Sequence, residues 1–263
     1  MRIAALVALL IALLIMVALP SSAGHAADFL KAVAGGDVPA VQSMLAREPA
    51  LANAHSLRGT GAVTIALFIN KGEGFFDPAK NEVLQAILAR KPQLDLFETA
   101  ALGTAAQLDA MLADAAAVNR RTTFGWTPLH MAAFGGNAGT TELLIRKGAS
   151  IEARAESKFR NTPLQTALLS GQYATAKVLL DHGADALVRQ SRGSTPMHEA
   201  ALLGRQDLVQ LLLDHGAEIN SVSDNGQTPL AEAMRGKHDE LATWLKSKGA
   251  VVGMQMDDEV LKK

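Results

Sequence analysis

At 263 residues the chain has room for one large domain, two ordinary ones or a repeat array, and 49 % apolar against 19 % charged residues exclude a disordered chain. A formal net charge of −1 excludes a global attraction for nucleic acid. The absence of cysteine excludes disulfides, thiolate metal sites, cysteine nucleophiles and a lipidated cysteine anchor.

Arg2 precedes an uncharged apolar run from Ile3 to Leu19, followed by Pro20 and small residues. This reads as a secretory signal over residues 1–26, cleaved after Ala26, with Gly24 and Ala26 as the small residues of the cleavage site and Ser21 with Ala23 as a second position. The run is also at the lower limit of a bilayer span, so an uncleaved N-terminal anchor is the alternative. Either way the remainder is expected to be exported, periplasmic or secreted, and to need no membrane once the signal is removed.

Residues 27–54 fit two helices broken at Gly35-Gly36, the second beginning near Pro39 and burying Val41, Met44 and Leu45. Residues 57–95 fit the same form only with an insertion over 72–78, where Phe75 and Phe76 stand in a glycine-rich loop. From Leu96 to Asn119 the chain again reads helix, break, helix, with Leu108, Met111 and Leu112 on the second helix.

The register is then explicit. Thr127-Pro128-Leu129-His130 recurs as Thr162-Pro163-Leu164-Gln165, Thr195-Pro196-Met197-His198 and Thr228-Pro229-Leu230-Ala231, at intervals of 35, 33 and 33 residues. Threonine caps a helix by accepting from an orphan N–H, and a proline just inside has its φ preset and no donor to waste, so each TP predicts a helix start. Gly136, Gly171 and Gly204 break that helix; a second carries Leu143-Leu144, Leu179-Leu180, Leu211-Leu212 or Trp244-Leu245 and ends at Gly148, Gly183, Gly216 or Gly249. Through TPLHMAA, LLIRKGASIEA, VLLDHGADA, TPMHEAALLG, LLLDHGAEIN and TPLAEA the chain resembles the ankyrin-repeat family. The resemblance implies an all-α solenoid of stacked helix-turn-helix units with extended finger loops: degenerate repeats over 27–95, the array proper over 96–250 and a polar tail over 251–263. Seven units are expected, each sheltering the apolar face of the next.

The same resemblance implies that His130 and His198 hydrogen-bond between neighbouring units rather than act in catalysis. Gln165 retains that capacity and Ala231 does not. His182 and His215 read as helix-end residues, not a metal ladder. With no nucleophile elbow, phosphate loop or HExxH pattern, no catalytic residue, metal or cofactor is expected; a hydrolase on the repeat scaffold and a membrane-anchored organiser are the alternatives.

Family members usually engage partners through finger tips and the exposed side of the inner helices. The corresponding residues here include Phe124, Trp126, Phe134, Lys158, Phe159, Arg160 and Arg192. For Trp126 and Phe134 there are two readings, an interface anchor and a cover over the join between repeats. The fingers also carry Arg120, Arg121, Arg154 and Arg189, so the expected ligand is another protein with an acidic face, bound by a monomer.

Overall fold

The computed structural model describes residues 23–57, 59–69, 77–156, 160–190 and 192–253. Most of the expected signal, the Phe75-Phe76 loop, Lys158, Phe159 and the tail beyond Gly253 therefore lie outside the described residues. Among these residues there are fifteen α-helices, no β-strand, and no helix long and apolar enough to cross a membrane. The chain forms two compact units, one ending at Glu98 and one starting at Thr99.

The first unit contains α1 (Ala23–Gly35), α2 (Val38–Arg47), α3 (Ala62–Leu67) and α4 (Glu82–Leu88). The expected cleavage position after Ala26 falls in the first turn of α1. Gly36 turns the chain with φ 59°, and the Asp37 carboxylate then caps α2 by accepting from Ala40 N at 3.1 Å. Phe29, Val33, Val41, Leu45, Ile65, Leu84 and Ile87 form the core, each almost completely buried.

The described residues of the segment over 57–95 include α3 and α4. A five-residue hairpin closes between Ser56 N and Thr60 O at 2.9 Å, with Gly59 left-handed at its tip, and α3 follows directly. Gly61 takes the place of the capping threonine. A Cβ there would come within 2.9 Å of Glu98 Oε1, which accepts instead from Thr64 N and Thr64 Oγ1 at 2.9 and 2.7 Å. Glu98 also forms a reciprocal capping box with Asp95: Glu98 N donates to Asp95 Oδ1 at 2.8 Å, and Asp95 N donates to Glu98 Oε2 at 3.1 Å. Asp95-Leu96-Phe97-Glu98 thus does the work of TPLH without its residues. Burial raises the Glu98 pKa first of all, Asp95 adds to the shift, and the hydrogen bonds oppose it.

The second unit continues through α5 (Leu96–Leu102), within which the division between units falls, to α6 (Ala105–Met111) and the short α7 (Ala115–Val118). Four inner–outer helix pairs follow: α8 (Pro128–Gly135) with α9 (Ala138–Arg146), α10 (Pro163–Leu169) with α11 (Tyr173–Asp181), α12 (Pro196–Leu202) with α13 (Gln206–Asp214), and α14 (Pro229–Arg235) with α15 (Asp239–Ser247). Every TP begins an inner helix, with threonine at the N-cap and proline inside it. Ala132, Ala133, Ala167, Ala200, Ala201 and Ala233 are completely buried, their small side chains letting the inner helices approach one another. Leu129, Leu164, Met197 and Leu230 on the inner helices and Leu144, Leu179, Leu212 and Leu245 on the outer helices are all buried in the core.

The outer helices are fastened to the preceding repeat at their N-cap residues. Asn137 Nδ2 donates to Gly103 O at 2.7 Å, Gln172 Nε2 to Phe134 O at 3.4 Å and Arg205 Nη1 to Gly171 O at 2.9 Å; His238 Nε2 lies 3.0 Å from Leu202 O. Four residue types perform one task, capturing the carbonyls left over where an inner helix ends.

Candidate partner interface

Of the expected contact residues, Phe124, Trp126, Arg160 and Arg192 sit on fingers and Phe134 on α8. A hairpin closes from Thr122 N to Trp126 O, from Gln190 N to Ser194 O and from Ser223 N to Gln227 O, at 2.9, 2.9 and 3.0 Å, each with a glycine in the left-handed region two residues before the capping threonine. The remaining finger, second of the four in chain order, closes between Ala155 N and Asn161 O at 3.0 Å, so the two residues added in the 35-residue interval fall between these two. Arg160 stands at the glycine position there and adopts φ 52°.

His130 ties these fingers to the helices. Its ring is fully buried; Nδ1 accepts from Thr127 N at 3.2 Å, which leaves Nε2 protonated and donating to Asn161 O of the next finger at 3.0 Å. His198 repeats the geometry, with Thr195 N at 3.2 Å and Gln227 O at 2.9 Å. Burial lowers the pKa of His130 to about 4 and also lowers that of His198, so both rings are neutral near pH 7. A neutral ring with both nitrogens engaged is a strut with no proton to exchange. In the last repeat, where Ala231 lacks this reach, Thr228 Oγ1 donates to Val251 O at 2.8 Å and accepts from Gly253 N at 3.2 Å.

Gln165 fills the histidine position of the second TP repeat differently. Its Oε1 accepts from Thr162 N at 3.1 Å, and its Nε2 points toward Glu199 Oε1 at 3.5 Å instead of a finger carbonyl. Gln190 Nε2 also donates to Glu199 Oε1, and to Asn161 Oδ1 at 2.9 Å. The second carboxyl oxygen of Glu199 is buried without a partner, and burial pushes its pKa well above the usual carboxylate range. Nothing in the sequence singles out Glu199, because a glutamate at the fourth residue of a helix reads as a solvated first-turn acid.

Two further staples join successive fingers. Asn119 Oδ1 accepts from Ser150 N at 2.9 Å while its Nδ2 donates to Gly148 O at 3.2 Å; Asn220 does the same to Val251 N at 2.9 Å and Gly249 O at 3.1 Å. Glu152 makes half of this contact, accepting from Asp185 N at 2.9 Å. Leu187 holds the equivalent place in the next finger and is 44 % exposed. The second staple is a row of arginines: Arg121 Nη1 donates to Arg154 O at 2.8 Å, Arg154 Nη1 to Arg189 O at 3.3 Å, and Arg189 Nη2 to Val222 O at 3.1 Å. In the sequence alone these residues amount to a diffuse basic tendency. Their equivalence, one per repeat just before the hairpin, emerges on aligning the copies.

Phe124 is 48 % exposed at the tip of its finger, and the exposed Arg192 occupies the equivalent tip position two repeats on. Trp126 and Phe134 are half-buried and packed together: the Trp126 ring lies 5.9 Å from His130 and 5.8 Å edge-on from Phe134. They therefore cover the buried histidine strut, while Phe124, Arg160 and Arg192 lie at the exposed tips. On the outer helices, His182 and His215 are C-caps. Their Nδ1 atoms lie 2.8 Å from Val178 O and Leu211 O, and their Nε2 atoms face Glu142 and Asp181 of the preceding repeat at 3.4 and 3.1 Å.

A family model described as ankyrin repeats (three copies) matches residues 79–190 and 183–256. Among curated proteins, alpha-latrotoxin-Lg1a of Latrodectus geometricus is 41 % identical over 64 residues, 24 % of this chain and 5 % of the toxin. The human ankyrin repeat and KH domain-containing protein 1 is 35 % identical over 92 residues, 35 % of this chain and 4 % of that protein. The human ankyrin repeat domain-containing protein 17 is 36 % identical over 77 residues, 29 % of this chain and 3 % of that protein. The match spans a twentieth or less of each relative, so it concerns the repeats alone. With the repeat model covering well over half its length, and its capped inner helices, left-handed glycines and cross-linked fingers in register, this chain belongs to the ankyrin-repeat family.

Proposed function

We propose that this protein is an exported interaction module that captures an acidic-faced protein on its fingers and performs no catalytic step of its own. One observation carries the reading. Successive fingers present Phe124, Arg192 and the row Arg121, Arg154 and Arg189 at the surface, and among the described residues neither Arg121 nor Arg154 has a carboxylate within ion-pair distance. Large aromatics and arginines are the residue types that anchor protein interfaces. Both buried histidines are engaged through both ring nitrogens, which supports a structural role for them in place of acid–base work.

The export reading rests on the segment over 1–26. Mass spectrometry of the mature protein should find Ala27 at the N-terminus; an intact Met1 in the membrane fraction would replace it with the anchored form. For the interface, cross-linking in the exported fraction supplies the partner, and affinity is then measured with both proteins purified. Replacing Phe124, Lys158 and Phe159 with alanine should weaken binding at least about thirtyfold, since one lost anchor costs about 2 kcal/mol. Unchanged affinity in a folded triple variant would eliminate this surface.

A further inference from the structure

We propose that the arginine row binds an extended acidic segment in the polyproline-II conformation, with a carboxylate at every third residue and an apolar residue one step further. This deepens the interaction-module reading and rests on it. Arg121, Arg154 and Arg189 hold the same place in three successive repeats, and each is pinned by donating to the main chain of the next finger. The acceptors are neutral carbonyls, so the bonds orient the guanidinium groups without cancelling their charge. Each guanidinium has five N–H donors in a fixed fork. Arg121 spends its Nη1 on Gly125 O and Arg154 O, and Arg154 its Nη1 on Arg189 O, leaving edges for carboxylate oxygens.

The carboxylates already near the row are accounted for. Asp224 pairs with Arg189 at 3.1 Å, so that position is partly neutralised from within. Glu152 is near enough to Arg154 for its pKa to be affected, but burial dominates its upward shift and its Oε1 accepts from Asp185 N. The fourth place in the row belongs to Val222, 49 % exposed, whose carbonyl accepts from Arg189. Going up the array the row reads cation, cation, partly paired cation, apolar side chain.

Spacing selects the ligand's conformation. Packed helical units succeed one another at about 8–10 Å. A β-strand places side chains on one face every second residue, about 6.6 Å apart, and its third residue points away. A polyproline-II segment rises about 3.1 Å per residue with three residues per turn, so side chains at every third residue share a face about 9.3 Å apart. That segment also has its backbone conformation set before binding, which spares the ordering cost a flexible chain would incur.

The test compares two synthetic peptides of equal composition on the folded full chain by fluorescence anisotropy: Glu-Pro-Pro-Glu-Pro-Pro-Glu-Pro-Pro-Leu and Glu-Glu-Glu-Pro-Pro-Pro-Pro-Pro-Pro-Leu. The periodic peptide should bind about tenfold more tightly, and the double variant Arg121→Gln/Arg154→Gln should abolish the difference. Val222→Ser leaves every arginine bond in place; it should weaken the leucine-ended periodic peptide about threefold and leave its serine-ended counterpart unchanged. This variant keeps the test decisive if the double variant fails to fold. Equal affinity for the two leucine-ended peptides, or no binding of either, overturns the proposal. In that event, partner capture that still depends on Phe124 would leave the interaction-module reading standing.

Discussion

Lys237 has a left-handed backbone, φ 60°, where Gly136, Gly171 and Gly204 end the preceding inner helices. A side chain in this region costs about 1–2 kcal/mol, and glycine's greater unfolded freedom offsets about 0.5–1 kcal/mol of the relief. Lys237→Gly should therefore raise stability by up to about 1 kcal/mol, read as a higher urea midpoint at constant slope. Titration sets a second test. Glu199 keeps its proton in the fold well above its ordinary pKa of 4.5, whereas the unfolded chain releases it near that value, so its contribution is intact below pH 4.5 and drains as pH rises through the folded pKa. His130 has the opposite sign: the unfolded ring takes up a proton near 6.5 and the folded ring only near 4, so stability present above pH 6.5 is lost between those values. Glu199→Gln should flatten the fall in urea midpoint that sets in as pH rises above 4.5; an unchanged fall would mean that Glu199 is not its source. The TP threonines and prolines were legible in sequence because each has one steric or capping task. Glu199 was not, because its burial depends on Gln165 and Gln190, which only the stacking of repeats brings to it.

At the scale of the element, each repeat is held to the next by a few repeated bonds, and the places where one is absent are identifiable. The Asn119 and Asn220 staples each satisfy a loop N–H and a glycine carbonyl of the following unit, and Leu187 interrupts the series. Leu187→Asn should restore the staple to the loop after Gly216, remove an exposed apolar side chain and stabilise the protein by about 1 kcal/mol, measured by thermal unfolding. No gain in Tm would show that this loop departs from the geometry its neighbours share. The helix pairs of the last four repeats were legible because TP and glycine punctuate them. The start at Asp95 was harder to see, since an Asp-x-x-Glu box caps a helix as TPLH does while sharing no residue with it. The finger staples were invisible for another reason: asparagine and arginine in a loop signal solvation unless the partner carbonyl one repeat away is known.

For the molecule as a whole, stability in a stacked array is close to a sum of nearest-neighbour terms, so position in the stack matters as much as composition. Within the second unit, α10 and α12 have a repeat on either side, whereas among the described residues α14 and α15 have one neighbouring repeat and the run over 250–253. Hydrogen exchange should be slowest in α10 and α12 and at least about tenfold faster in α15; uniform protection would mean that the unit opens as one block. The closure between Ala155 and Asn161 bears on how such a protein can change. Because that bond holds the base of the finger while the tip has grown by two residues, the loop's length is uncoupled from the register of the helices beneath it. A foreign peptide grafted between those two residues would inherit a rigid pedestal, making this finger the natural place to install a new specificity without redesigning the stack.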